Sequence, residues 1–184
     1  MGKYRNSIID WFIKKRTTFG WLFFVLIAIF GKGNIKKILI GLPFIILGEF
    51  LRIVSSGIIK KNEVLTKNGI YSFLRHPLYF GSFLISIGFS ISSNNLLIFI
   101  YFFIFFPFIY FFTIKKEEEF LTMKFKEEFE EYKRKVPAFF PKLKKTNIFD
   151  GFSLRNFLKN GEILNILTII FLIFILLIKS NYKF

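Results

Sequence analysis

The chain has 184 residues, 53% of them hydrophobic and 30 of them phenylalanine, and carries a formal net charge of +15. Its apolar residues come in blocks, with a mean hydropathy of +0.51, which is too apolar for a soluble domain of this size and points to the membrane. With no cysteine and one histidine, His76, the sequence excludes a disulfide framework, a thiol nucleophile and a multi-histidine metal cage, so no metal ligands are assigned. Basic residues that interrupt apolar blocks mark loops beside an anionic membrane face rather than a nucleic-acid surface.

Five apolar runs follow in chain order: Thr17 to Gly31, Ile38 to Val54, Leu78 to Ile91, Leu96 to Ile114 and Ile163 to Ile178. A helix needs about 20 residues to cross roughly 30 Å of hydrocarbon, so the shorter runs must borrow flanking residues. The expected fold is an all-α integral membrane protein of about five transmembrane helices in a single membrane domain, 1–184. The first run reads as a retained span, because it follows a basic lead and has no small-residue cleavage site before its exit. Short loops rich in Lys and Arg stay on the cytoplasmic side. Lys3, Arg5, Lys14, Lys15 and Arg16, then Arg52, Lys60, Lys61, Lys67 and Arg75, and the basic segment from Lys115 to Lys159 therefore put the N-terminus inside. Lys179 and Lys183 at the far end leave the C-terminus outside.

Chemistry that needs water-soluble reagents must come from the two basic segments between these runs. Within Asn68-Gly69-Ile70-Tyr71-Ser72-Phe73-Leu74-Arg75-His76-Pro77-Leu78-Tyr79-Phe80-Gly81, Asn-Gly is a turn signal and Pro77 suits the first position of a helix. Arg75 and His76 then crown a helix N-terminus, where exposed N–H groups and the dipole favour an anion. A basic anchor facing lipid headgroups is the alternative reading. Downstream, Leu121, Phe125, Phe129, Tyr132 and Val136 share one face of a helix, an amphipathic cytoplasmic helix after the fourth span. Glu117, Glu118 and Glu119 begin it where an anionic membrane would repel them, so they should face a cation or a hydrogen-bond donor. Glu49 and Arg52, three apart near the end of the second run, are costly at membrane depth and are candidate site residues, the alternative being mutual pairing.

The order and spacing of Leu65 to Gly81, then Glu117-Glu118, Leu121, Phe125, Phe129 and Tyr132, then Val136-Pro137 and Pro141, resemble the isoprenylcysteine carboxyl methyltransferases and the related phospholipid methyltransferases. The resemblance covers roughly 48–141, with N-terminal spans over 17–47 and a C-terminal segment with the fifth span over 142–184. Leu51-Arg52, Ser56-Gly57 and Lys60-Lys61-Asn62 further resemble the bacterial branch of the family, implying a prokaryotic plasma membrane. It implies S-adenosylmethionine as cofactor, with Tyr71, Arg75, His76, Pro77 and Tyr79 on one side of its pocket and Glu117 and Glu118 on the other. A carboxylate of the cofactor suits Arg75, and its hydroxyl and ammonium donors suit the glutamates. Two positions depart from the family pattern: Lys126 stands where glycine is usual and Phe129 where tyrosine is common.

The implied activity is methyl transfer to a lipid-like or isoprenoid acceptor arriving from the bilayer, either O-methylation of a carboxylate or N-methylation of an amine. Arg75 and Arg52 are the candidates to orient that acceptor, and Glu49 or the glutamates at 117–119 the candidate base for an amine. Two other readings stand beside this one. Membrane sterol-type reductases that use NADPH also carry Arg-His-Pro, but continue with Asn, Tyr and a later Glu where this chain has Leu78, Tyr79 and Ser82. The third is a non-catalytic protein that retains the fold. The first and fifth spans fall outside the resemblance and are assigned no chemistry.

Overall fold

A computed structural model describes residues 7–60, 64–142 and 144–181; Lys3, Arg5, Lys61, Asn62 and Lys183 lie outside them. The described residues are helical and contain no strand: α1 (Ser7–Lys14), α2 (Arg16–Phe30), α3 (Ile35–Ile58), a 3₁₀ turn (Gly69–Ser72), α4 (Pro77–Ser92), α5 (Leu96–Lys135), α6 (Leu154–Lys159) and α7 (Glu162–Asn181). Of these, α3, α5 and α7 are long and apolar enough to cross a membrane, whereas α2 and α4 are apolar but have 15 and 16 residues. The protein is an all-α membrane protein.

Helices α2, α3, α4, α5 and α7 run alternately from one end of the bundle to the other. The Lys32 amide donates to the Ser93 carbonyl at 2.9 Å, Asn95 Nδ2 to Phe30 at 2.9 Å and Lys179 Nζ to Ala28 at 2.7 Å. These bonds tie the last residues of α2, α4 and α7 to the starts of α3 and α5 at one end of the bundle. Arg16, Arg52, Arg75, Glu118 and Glu162 gather at the other. Asn34 and Asn95 cap α3 and α5 by accepting from the amides of Lys37 and Leu97. Between the ends, Phe23, Ile27, Ile45, Phe89, Phe102 and Leu172 belong to one buried cluster that draws on α2, α3, α4, α5 and α7.

Glycines set the closest helix contact. Gly41 and Gly48 on α3 face Gly88 and Gly81 on α4, so that a Cβ on Gly48 would come 2.5 Å from the Gly81 oxygen and one on Gly81 would come 2.6 Å from the Gly48 oxygen. Small residues two turns apart let the backbones touch where lipid offers no hydrophobic drive for association. The approach also lays Arg52, one turn past Gly48, against α4.

The helix expected after the fourth span is a continuation of that span. No glycine or proline stands between Ile114 and Leu121, and the Lys and Glu residues there are good helix formers, so α5 runs on to a break at Lys126 (φ 45°, ψ −124°). The five-residue stripe does cluster, Phe129, Tyr132 and Val136 buried against Leu121, Phe125 and Leu65, but it does so across a bend. Thr122 Oγ1 reaches Glu130 Oε1 at 3.3 Å, a contact that residues eight apart on a straight helix, about 12 Å apart along its axis, could not make.

Candidate functional site

Pro77 is the first residue of α4 and His76 its cap, as the proline rule expects. The segment before it is fixed by the chain that returns after α5. The amides of Arg75 and His76 donate to the carbonyls of Pro137 and Ala138 at 2.9 and 3.1 Å, and that of Lys142 donates to Phe73 at 2.9 Å. Tyr132 donates its hydroxyl to the Tyr71 carbonyl at 2.6 Å. Tyr71 is buried with its own hydroxyl 3.4 Å from the Ser55 carbonyl, and burial pushes its phenol above the ordinary tyrosine range, keeping it protonated.

The two acidic residues after the fourth span meet this segment directly. Arg75 donates from Nε and Nη2 to Glu118 Oε1 at 2.9 and 2.6 Å, and from Nη1 to the carbonyls of Lys133, at 3.1 Å, and Val136. His76 Nε2 lies 3.1 Å from the same Glu118 oxygen; since a carboxylate only accepts, Nε2 carries the hydrogen. Tyr79 donates to Glu117 Oε2 at 2.9 Å and stacks on His76 with ring centroids 5.7 Å apart. Burial alone would raise the Glu118 carboxyl, but its hydrogen bonds with His76 and Arg75, and the Arg75 charge, outweigh burial and hold it below the usual carboxylate range.

Arg52 lies near the same end of the bundle but pairs beyond Glu49. It donates from Nη2 to both oxygens of Glu162 at 2.9 and 2.8 Å and from Nη1 to Ser82 Oγ at 2.5 Å, whereas its Nε stands 4.0 Å from Glu49. Glu49 Oε2 instead accepts from Asn165 Nδ2 at 2.6 Å. Glu49 Oε1 and Arg52 Nε are buried with no hydrogen-bond partner among the described residues. Sequence reading missed Glu162 and Asn165, having assigned the last span no chemistry. A glutamate at the first position of an apolar helix, opposite an arginine in another span, is the signal that could have found them.

Two cavities meet at this cluster. The larger, about 580 Å³, is lined by Tyr71, Arg75, His76, Pro77, Tyr79 and Glu117, with Phe120, Phe125, Phe129 and Tyr132 as an aromatic wall and Lys60 as a further cation. Its size is that of a cofactor site. The smaller, about 150 Å³, is walled mainly by phenylalanines of α2 and α5. Arg16, Gly20, Arg52, Ser82 and Tyr110 line both. Every expected site residue except Glu49, Glu118 and Glu119 therefore lines the larger cavity; Glu118 is turned toward Arg75 and His76, Glu49 sits behind Arg52, and Glu119 is exposed outside it.

A family model, Phospholipid methyltransferase, matches residues 18–128. The chain belongs to the phospholipid methyltransferase family, and so to a class of membrane methyltransferases. The match takes in α2, which the resemblance over 48–141 left out, and stops before Pro137. Comparison with curated proteins and comparison with solved structures each found no match.

Proposed function

We propose that the protein transfers the methyl group of S-adenosylmethionine to an oxygen or nitrogen of a lipid-like acceptor held in the bilayer. The observation that carries this reading is the meeting of Arg75, His76 and Tyr79 with Glu117 and Glu118 at the wall of one cavity, in a chain of this family. The residues present fit the cofactor. Glu117, beside the Tyr79 hydroxyl, accepts from its hydroxyls or ammonium; the wall of Phe120, Phe125, Phe129 and Tyr132 suits an adenine ring. Arg75 has all three guanidinium nitrogens engaged and so acts as a positioning residue, holding Glu118 against His76; Lys60 is a further cation on that wall for a carboxylate. Bound there, the cofactor supplies a sulfonium methyl, and the acceptor's lone pair bonds to that carbon as the carbon–sulfur bond breaks toward sulfur.

Arg52, facing both cavities, orients the acceptor, and Glu49 positions Arg52 from behind. Such a site works chiefly by alignment and exclusion of water. A carboxylate acceptor arrives ionised, whereas an amine gives up a proton as well. In the membrane we place the whole chain as one domain of five spans, with the N-terminus and the larger cavity on the cytoplasmic side and the C-terminus outside, from the distribution of basic residues, and the resemblance to the bacterial branch supports a prokaryotic plasma membrane. The test is to incubate purified protein with S-adenosylmethionine carrying a deuterated methyl in nanodiscs of total lipid extract. A mass shift of the labelled methyl in an extracted lipid supports the reading; a cofactor that stays intact with every lipid fraction contradicts it.

A further inference from the structure

The last span, α7, lies outside the matched residues 18–128, yet it places a side chain on each cavity: Glu162 on the larger and Asn165 on the smaller. Its start is built onto the end of α3. A helix leaves its last carbonyls unpaired, and three at the end of α3 are answered by the segment that leads into α7. Gly57 accepts from the Ser153 amide at 2.9 Å, and Ser56 and Ile59 accept from Asn160 Nδ2 at 2.8 and 3.4 Å. Gly161, with φ 76°, then turns the chain, so that Glu162 opens α7 beside Arg52, one turn of α3 before Ser56.

Two contacts follow from that placement. Glu162, 6% exposed, takes Arg52 Nη2 on both carboxylate oxygens. Asn165, one turn further, donates to Glu49 Oε2 at 2.6 Å and so holds the carboxylate that stands behind Arg52. With Ser82 on Nη1, α4 and α7 grip the guanidinium between them, and one Nη1 hydrogen is left for the cavities. Apolar residues would join two spans at less cost than a desolvated ion pair, so a charged join on a cavity wall serves the cavity. We infer that Glu162 and Asn165 are positioning residues for methyl transfer: Glu162 aims the Arg52 guanidinium, Asn165 fixes Glu49 behind it, and the span outside the family match completes the acceptor side of the site. This rests on the methyl-transfer reading, in which Arg52 orients the acceptor and alignment supplies most of the rate.

The test is methyl-transfer kinetics of the full chain in nanodiscs of total lipid extract, with deuterated-methyl S-adenosylmethionine, at a temperature below the unfolding of every variant. Glu162→Gln should lower kcat roughly ten- to hundredfold, the loss expected when a positioned group is misplaced by about 1 Å, with KM for S-adenosylmethionine unchanged. Glu162→Asp keeps the charge but withdraws it by one methylene, so it should recover most of the lost melting temperature and leave kcat low. Asn165→Leu should lower kcat in the same way, whereas Leu167→Ala, 57% exposed on the same helix, should not. A kcat that recovers in step with the melting temperature in Glu162→Asp, wild-type kcat in Asn165→Leu, or a raised KM with kcat unchanged overturns the inference. If Glu162→Gln does not fold, Glu162→Asp and Asn165→Leu carry the test. Modification of Arg52 by phenylglyoxal, read by peptide mass, reports its hold without any methyl transfer and should be faster in Glu162→Gln than in wild type. Wild-type protein that shields Arg52 but transfers no methyl sinks the methyl-transfer reading and leaves the hold of α7 on Arg52 standing; methyl transfer with kcat untouched by these substitutions sinks the inference alone.

Discussion

Glu118→Gln removes one charge from the largely buried Arg75–Glu118 ion pair while keeping the shape of the side chain. Glu118 and Arg75 side chains are 13% and 8% exposed, and one carboxylate oxygen takes two guanidinium bonds and faces His76 at 3.1 Å. Breaking a buried ion pair costs about 3–5 kcal/mol when a charge is stranded. Glutamine still offers one acceptor, and Arg75 keeps the carbonyls of Lys133 and Val136, so the expected loss is about 2–3 kcal/mol. For a chain of this size that is a fall of roughly 5–10 °C in melting temperature. Glu117→Gln is the control, since that carboxylate is 39% exposed and takes one bond, from Tyr79; its expected loss is below about 1 kcal/mol.

The sign with pH follows from the depressed Glu118 carboxyl. A carboxyl whose folded pKa lies below its unfolded value, about 4.3 for glutamate, contributes its full stability above that value and loses it as pH falls toward the folded value. The gap between wild type and Glu118→Gln should therefore be constant near neutrality and narrow below about pH 4. The assay is thermal unfolding of both proteins in detergent at pH 7 and at a series of acid values. Equal destabilisation by Glu117→Gln and Glu118→Gln, or a gap that does not change with acid, refutes the reasoning.

Lys126→Gly should stabilise the protein by about 1–2 kcal/mol, because its backbone (φ 45°, ψ −124°) is strained for any residue with a Cβ and easy for glycine; chemical denaturation reads the gain. Gly81→Ala should destabilise by about 1–3 kcal/mol through overpacking, since its Cβ would lie 2.6 Å from a backbone oxygen and 2.7 Å from Arg52 Cγ; the methyl-transfer rate should fall with it as Arg52 is displaced. Glu162→Gln should cost about 3 kcal/mol by stranding Arg52, whereas Glu162→Gln combined with Arg52→Gln should cost less than the two single losses summed, which a double-mutant cycle measures.

Much of the architecture was legible because the signals are local. Apolar runs located α2, α3, α4 and α7 to within a few residues and the start of α5, and Pro77 fixed the start of α4, whereas only α3, α5 and α7 are long and apolar enough to cross a membrane. The residues alone said that Glu117 and Glu118 should face a cation or a hydrogen-bond donor; that this partner is the Arg75 to Tyr79 segment was implied by the family resemblance. What escaped the sequence depends on long-range contact. The facing of Gly41 and Gly48 with Gly88 and Gly81 needs helix register, and the pairing of Arg52 with Glu162 joins residues 110 apart. The bend at Lys126 was hidden for another reason: lysine is a good helix former, so nothing in its identity announces the glycine-like backbone it adopts. Arg75 was expected to take the cofactor's carboxylate as a free fork, but the carbonyls of the returning chain, out of view in a linear reading, engage it.

The central claim is that the cavity between the start of α4 and the acidic stretch of α5 holds S-adenosylmethionine. Titration calorimetry of detergent-purified protein with S-adenosylmethionine and, in parallel, with NADPH tests it most directly. The account predicts saturable binding of S-adenosylmethionine that weakens in Tyr79→Phe and Glu117→Gln, with no binding of NADPH; preference for NADPH, or S-adenosylmethionine affinity untouched by both substitutions, would contradict it.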